Sequence, residues 1–183
     1  MLQNVEYSHI ETNGVRLHVA QAGPENGRLV ILLHGFPEMH WGWRYQIDML
    51  AEAWFRVMAP DQRGCNLSEK PDEIAAYSLD KLVGDVIGLI DHSSTERAFV
   101  VGHDWGGAVA WWLGAKHPER VQRLAILNVP HPIVMGRTIW SSWTQRRKSW
   151  YMYAFQIPRL PEFLGKFTAH LDDVLNWIPA RSV

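Results

Sequence analysis

The heptapeptide VGHDWGG, residues 101–107, places Asp104 between two glycines. The spacing Gly102-x-Asp104-x-Gly106 matches the G-x-S-x-G turn that exposes a nucleophilic serine between a strand and a helix, with aspartate in the place of serine. A carboxylate is a poor replacement for a hydroxyl group in acyl transfer, so the aspartate indicates a different reaction. The alternative interpretation is an aspartate that caps a helix beside two incidental glycines.

A second segment, LLHGFPE at residues 32–38, ends a long apolar run in His-Gly. In enzymes that carry such a nucleophile turn, the loop after an earlier strand supplies one of the two backbone N–H groups of the oxyanion hole. The sequence therefore predicts that the N–H groups of Phe36 and Trp105 form this hole. Pro37 restricts the turn, and its peptide bond is a candidate for the cis form. A plain strand followed by a loop explains the run, but not its occurrence together with the turn at Asp104.

Strands and helices alternate along the segments that must position these groups. A hairpin with a tight turn at Asn13-Gly14 comes first, and continuous apolar runs then predict strands that are buried on both faces. Segments with helical spacing separate these runs. The predicted strands after the hairpin cover 28–35, 55–61, 97–104 and 121–130, and the predicted helices cover 43–53, 78–92 and 105–117. This order predicts an α/β fold with a mainly parallel sheet, led by the antiparallel hairpin.

The sequence changes in character after Pro130. The residues that follow are rich in aromatic side chains, show helical spacing and are interrupted at Pro158 and Pro161. No further strand-like apolar run is present among them. We therefore expect two parts, an α/β core over residues 1–132 and a helical piece over residues 133–183.

Composition restricts the classes of function. The net charge of −1 gives no reason to expect nucleic acid or a membrane surface as a partner. The one cysteine, Cys65, cannot form an internal disulfide, which favours a reducing, cytoplasmic compartment. The N-terminus is too polar for a signal peptide, and no apolar run is long enough to span a bilayer. The sequence has no metal-ligand spacing and no phosphate-binding glycine loop, so neither a metal nor a cofactor is expected. Ten tryptophans exceed the need of a core of this size, and several are expected to line a pocket.

Four segments together resemble the epoxide hydrolases of the α/β-hydrolase superfamily, namely HGFPE, APDQRG, SEKP and VGHDWGG. The similarity runs from about residue 10 to about residue 135 and continues more weakly beyond it. It implies the α/β-hydrolase fold, incomplete at its C-terminal side, with a partial helical cap over 133–183. It also implies a small apolar epoxide and water as reactants and a vicinal diol as the product.

The resemblance gives each group of the nucleophile turn a role. Asp104 attacks an epoxide carbon and forms an ester that water can cleave, whereas a serine would form a stable ether. A histidine then activates water, and the N–H groups of Phe36 and Trp105 hold the resulting oxyanion.

A tyrosine of the cap donates a proton to the departing epoxide oxygen in this family. Tyr151 lies at the matching distance before the Phe-Gln pair at 155–156, and Tyr153 is the near competitor. A tyrosine that only packs inside the cap is the alternative for Tyr151. The residues expected to contact the substrate are Phe36, Pro37, Trp105, Tyr151 and Phe155.

The sequence departs from the family because a base histidine, its acidic partner and a second cap tyrosine are not found before Val183. The last histidine, His170, lies within the helical stretch of the cap. We therefore expect the N-terminal part of such an enzyme, whose last strand has an apolar edge that a second chain or a second copy covers. A fragment of a longer chain is the third possibility.

Two other functions remain open at this stage. A haloalkane or haloacid dehalogenase uses the same aspartate, but it favours a halide-binding donor such as Asn in the place of Phe36 and lacks the tyrosine acid. Phe36, Glu38 and Tyr151 therefore favour the epoxide. A non-catalytic half-molecule that only binds a ligand or a partner is the other alternative.

Several polar residues near the motifs are expected to have structural roles. His103 precedes the nucleophile and should point away from it, and His34 should support the oxyanion turn. Asp61 and Arg63 are expected to fix their loop, and Cys65 has no neighbouring acid–base pattern that would make it reactive.

Overall fold

A six-stranded sheet is the centre of the fold. The structure, a computed structural model, describes residues 5–148 of the chain. Each strand coincides with one apolar or alternating segment of the sequence. The strands are β1 (Glu6–Thr12), β2 (Val15–Ala22), β3 (Arg28–Leu33), β4 (Phe55–Pro60), β5 (Ala98–His103) and β6 (Val121–Leu127).

The sheet has the order β1-β2-β4-β3-β5-β6. The first two strands form an antiparallel hairpin, and β2 pairs antiparallel with β4. The strands β3 to β6 are parallel to one another, with Val30 opposite Val57 on one side of β3 and opposite Phe99 on the other. The prediction of a mainly parallel sheet led by an antiparallel hairpin is confirmed.

Three helices of the core connect the parallel strands. They are α1 (Arg44–Glu52), α2 (Leu79–His92) and α3 (Trp105–Lys116). The helix predicted from residue 43 begins at Arg44, because a short 3-10 turn over His40–Trp43 precedes it. Ser78 stands at the N-terminal cap position of α2, although its side chain makes no capping hydrogen bond.

The helices cover both faces of the sheet. The position of β3 between these helical layers explains why its sequence is continuously apolar and does not alternate with polar residues. Leu29, Ile31 and Leu33 pack in the cluster that α2 and α3 cover, while Val30 and Leu32 pack in the cluster that α1 covers. A strand between two helical layers must be apolar at every position. Each such side chain contributes about 1.5–3 kcal/mol by its burial.

The loop after β4 is fixed by two buried charged residues. Asp61 is fully buried and accepts hydrogen bonds from the backbone and side chain of His40 and from the side chains of His18 and Asn66. Burial alone would raise the pKa of the Asp61 carboxyl, but these hydrogen bonds outweigh burial and hold the pKa well below its usual range.

Arg63 is the second buried charge of this loop. Its guanidinium donates to both carboxylate oxygens of Asp85 on α2, with Nε 2.9 Å from Oδ2 and one terminal nitrogen 2.6 Å from Oδ1. It also donates to the carbonyl oxygens of Ala76 and Asn13. The expected loop-fixing role of Asp61 and Arg63 therefore agrees with their contacts.

The chain divides into two compact units, Met1–Pro132 and Ile133–Val183. The described part of the second unit is helical, with α4 (Pro132–Ser141) beginning at the boundary and α5 (Trp143–Lys148) following it. Within residues 5–148, none of the helices is both long enough and apolar enough to cross a lipid bilayer.

We predict that Asp85→Asn lowers the free energy of unfolding by about 3–5 kcal/mol, because it leaves the buried Arg63 guanidinium without a counter-charge. The control is Asp91→Asn, since Asp91 pairs with Arg120 at a position where its side chain is 60% exposed. The control should cost no more than about 1 kcal/mol. Urea denaturation of the three proteins measures both values. Equal effects of the two substitutions would contradict the structural importance of the Arg63–Asp85 pair.

Candidate active site

Asp104 lies in the sharp turn between the end of β5 and the start of α3. Its φ of 49° and ψ of −117° place a non-glycine residue in strained backbone space, which costs on the order of 1–3 kcal/mol. The surrounding backbone holds this turn. The N–H of Asp104 donates to Leu127 O on β6, and Asp104 O accepts from the N–H groups of Gly107 and Ala108.

Two glycines make this turn sterically possible. A Cβ atom on Gly106 would lie 2.3 Å from Leu33 O, and a Cβ atom on Gly102 would lie 2.4 Å from Gly106 O. Both distances are far shorter than a van der Waals contact, and the clashing oxygens belong to the backbone and cannot move aside. The spacing Gly102-x-Asp104-x-Gly106 is therefore required by close backbone approach, and the strand–turn–helix arrangement predicted for Asp104 is present.

The turn after β3 brings a backbone donor to the carboxylate of Asp104. The N–H of Phe36 lies 3.2 Å from Asp104 Oδ1 and donates to it. Gly35 permits this approach, because a Cβ atom there would lie 2.7 Å from Asp104 Cβ. The peptide bond between Phe36 and Pro37 is cis. Trp105 begins α3, so its N–H has no acceptor within the helix and is available as the second donor.

His34 supports this turn from below. It is 1% exposed, its Nδ1 lies 2.8 Å from Gly35 O, and its Nε2 lies 2.9 Å from the backbone N of Gln62. Because the N–H of Gln62 can only donate, Nε2 is the acceptor and Nδ1–H donates to Gly35 O. Burial lowers the pKa of His34 and keeps the imidazole neutral. These contacts agree with the expected supporting role.

A carboxylate that the sequence analysis did not assign joins the two turns. Glu38 Oε2 lies 3.3 Å from the backbone N of Gly35 and 3.2 Å from Nδ1 of His103. The side chain of His103 therefore contacts Glu38, and its expected direction away from Asp104 stays a prediction. Glu38 belongs to the HGFPE motif, but the sequence does not show that its carboxylate reaches the side chain of His103 and the backbone N of Gly35.

The residues around Asp104 differ in their exposure to solvent. Asp104 is half-buried at the N-terminus of α3. Phe36 is 72% exposed and Trp105 is 49% exposed, and Pro37 is exposed beside them. Tyr151, Tyr153 and Phe155 lie outside the described residues. The substrate contacts expected of Phe36, Pro37, Trp105, Tyr151 and Phe155 therefore stay a prediction.

Side chains that could bind a metal ion lie close together on β2, before α1 and after β4. His18, His40 and Asp61 form the group of ligating side chains that lies within metal-binding distance in this part of the chain. No metal was expected from the sequence, in which these residues are more than twenty positions apart. The pairing of β2 with β4 brings His18 close to Asp61.

The chain is similar to known proteins over most of its length. The family model described as alpha/beta hydrolase fold matches residues 28–182. The AB hydrolase superfamily protein YfhM of Bacillus subtilis is 50% identical over 161 residues, which cover 88% of this chain and 56% of the relative. Epoxide hydrolase 1 of Caenorhabditis elegans is 41% identical over 164 residues, which cover 90% of this chain and 40% of the relative.

A solved structure gives the same result in three dimensions. A mutant epoxide hydrolase from Bacillus megaterium superposes with a TM-score of 0.80 and 36% identity, covering 85% of this chain and 54% of that one. The chain thus spans about half the length of the proteins it matches. Its sheet, its nucleophile turn and the matched family model lead to one conclusion: the chain belongs to the α/β-hydrolase fold family.

Proposed function

We propose that this chain carries the nucleophilic half of an epoxide hydrolase, with Asp104 as the residue that forms a covalent ester. The observation that carries the proposal is the carboxylate of Asp104 in a strained turn, with the N–H of Phe36 on its Oδ1. The similarity to epoxide hydrolases supports the substrate class. Because the chain covers about half of these proteins, the activity of the complete enzyme is part of the proposal.

In the first step, one oxygen of Asp104 attacks an epoxide carbon, and the bond from that carbon to the ring oxygen breaks. Oδ1 is already engaged by the N–H of Phe36, so Oδ2 is the attacking atom. An ionised carboxylate needs no base for this attack. The ring oxygen takes a proton from a phenol, for which Tyr151 is our proposal and Tyr153 its competitor, and a hydroxyalkyl ester remains.

In the second step, water attacks the carbonyl carbon of the ester, and negative charge develops on Oδ1. The N–H of Phe36 already points at this atom, and we propose that Trp105 N–H is its second donor. Donors placed in advance stabilise the transition state more than the ground state. Collapse of the tetrahedral intermediate releases the vicinal diol and restores the carboxylate.

The base that activates this water is not His34 or His103. His34 has both ring nitrogens engaged in the turn below the site. His103 directly precedes Asp104 at the end of β5, and we expect its side chain to point away from that of Asp104. We therefore propose that step two is slow in the 183-residue chain, and that a histidine of the complete enzyme supplies the base.

Covalent capture of an epoxide by Asp104 tests the proposed function. Incubated with styrene oxide, the 183-residue chain should accumulate one hydroxyalkyl group on residues 101–107, because loss of a general base slows ester hydrolysis by roughly 10²–10⁴-fold. Intact mass and peptide mapping measure the adduct. Asp104→Asn should abolish it, and Asp72→Asn, which changes an exposed loop carboxylate, should not.

Other outcomes of this incubation would favour one of the alternative functions. Sustained diol production without an adduct would show that the chain contains a base that we have not assigned. Alkylation of Asp104 by 1-bromobutane but not by styrene oxide would favour the dehalogenase. A folded protein that gives neither adduct nor diol would favour the non-catalytic alternative.

The next prediction tests the fit of the β3 turn against the nucleophile. Gly35→Ala should slow ester formation by about 100-fold, because the new methyl group displaces Asp104 from its attacking position. Gly136→Ala is the matched control, since a Cβ atom there meets nothing within 4 Å among residues 5–148. The rate of adduct formation by mass spectrometry measures both. Equal rates in the two variants would contradict the proposed placement of Asp104.

We also propose that the free edge of β6 pairs with a further strand, from a second chain, from a second copy or from the rest of a longer chain. Within the described residues β6 pairs with β5 on one side alone, and Arg123, Ala125 and Leu127 are exposed along it. Unpaired strand edges promote association.

Light scattering tests this proposal. We expect the purified chain to have a mass above 21.1 kDa, the value for one copy. Ala125→Lys places a charge in the middle of the edge strand and should return the mass to that of one copy, while Asp72→Lys in an exposed loop should not. A single copy in all three samples would contradict self-pairing of β6.

A further inference from the structure

A buried cluster beside the catalytic loops has the composition of a metal site. His18 on β2, His40 in the turn before α1 and Asp61 after β4 are 6%, 7% and 0% exposed. Each of the three side chains offers a ligating atom within 4.8 Å of the others. The pairing of β2 with β4 sets this position, because Val19 lies opposite Pro60 and Asp61 N–H donates to His18 O.

The spacing of the donor atoms fits a coordination sphere. His18 Nδ1 lies 2.8 Å from Asp61 Oδ2, and His40 Nδ1 lies 2.8 Å from Asp61 Oδ1. Around an ion with metal–ligand bonds of about 2.0–2.2 Å, neighbouring ligands at right angles lie about 3 Å apart. Both Nδ1–oxygen separations match this spacing, and the ligating atoms of His18 and His40 lie within 4.8 Å of each other.

We propose that His18, His40 and Asp61 bind one divalent first-row transition-metal ion, with both imidazoles coordinating through Nδ1. When the ion binds, each neutral ring moves its proton from Nδ1 to Nε2, so no proton is released. A ring that is doubly protonated before the ion binds releases its Nδ1 proton to solvent. Two imidazoles and a carboxylate suit zinc, nickel or cobalt, whereas calcium and magnesium prefer all-oxygen sites. Water completes the coordination.

The surroundings support the carboxylate as a ligand. The backbone N–H of His40 and Nδ2 of Asn66 donate to its two oxygens at 2.9 and 2.8 Å, and these bonds are retained when the ion replaces the imidazole protons. Hydrogen bonds of this kind orient metal ligands. On the solvent side, the half-exposed ring of Tyr7 stacks on His18, and the exposed His9 lies beside it. Movement of these two side chains opens a path for the ion.

The site is structural rather than catalytic. All three ligands are buried, and the residue after Asp61 is Gln62, whose backbone N–H donates to His34 below the oxyanion turn. A bound ion would therefore brace the loop that holds His34. It goes beyond the proposed epoxide chemistry, which needs no metal at Asp104.

The test uses the 183-residue chain freed of metal with a chelator, and Zn²⁺ as the probe. At a hundredfold excess over Kd, bound Zn²⁺ should raise Tm by at least about 5 °C. His40→Asn is the decisive variant, because its amide Nδ2 can still donate to Asp61 but cannot replace the imidazole as a ligand. It should fold and lose the Tm shift. His92→Gln, which removes a histidine at the end of α2, should keep the shift.

A second measurement uses the unchanged protein and does not depend on the folding of a variant. Nitrogen-15 NMR of the imidazoles should show His18 and His40 changing from the Nδ1–H to the Nε2–H form when Zn²⁺ is added. The absence of a Tm shift, or a shift that persists in His40→Asn, would overturn the proposal. Zinc binding that leaves both rings in the Nδ1–H form would also overturn it, because it would place the ion on surface histidines.

Discussion

The close approach of three backbone segments around Asp104 is the constraint on which the site depends. The ends of β3 and β5 and the start of α3 meet with no room for a side chain at Gly35, Gly102 or Gly106. This approach lets one carboxylate occupy a strained turn while a backbone N–H from a different loop points at its oxygen. The strain costs only a small part of the stability that the apolar core of the sheet provides.

The parts of the fold that the sequence predicted are those with a local or periodic signal. The apolar run of β3 is buried on both faces, and the Asn13-Gly14 turn closes the hairpin as expected, with positive φ at both residues. The turn at Asp104 could be predicted because close backbone approach requires glycine two residues before it and two residues after it. Helix boundaries were less predictable, since the 3-10 turn before α1 has no sequence signal of its own.

What the sequence could not reveal are contacts between distant segments. Glu38 meets His103 only because β3 and β5 are neighbours, and Asp61 meets His18 only because β2 pairs with β4. A chain of polar contacts also links the β4 loop to the turn after β3. Asp61 fixes the loop, the N–H of Gln62 donates to His34, and His34 donates to Gly35 O. The geometry at Asp104 is therefore maintained by polar groups that take no part in the proposed chemistry.

The central claim is that Asp104 attacks the substrate and that water then attacks Asp104. The most direct measurement is a single turnover of styrene oxide in water enriched in oxygen-18, with an incubation long enough to release the ester. We predict that the heavy oxygen enters the carboxylate of Asp104, found in the peptide of residues 101–107, and that the first diol released carries none. Heavy oxygen in that first diol, with an unlabelled Asp104, would show direct attack of water on the epoxide and would contradict the account.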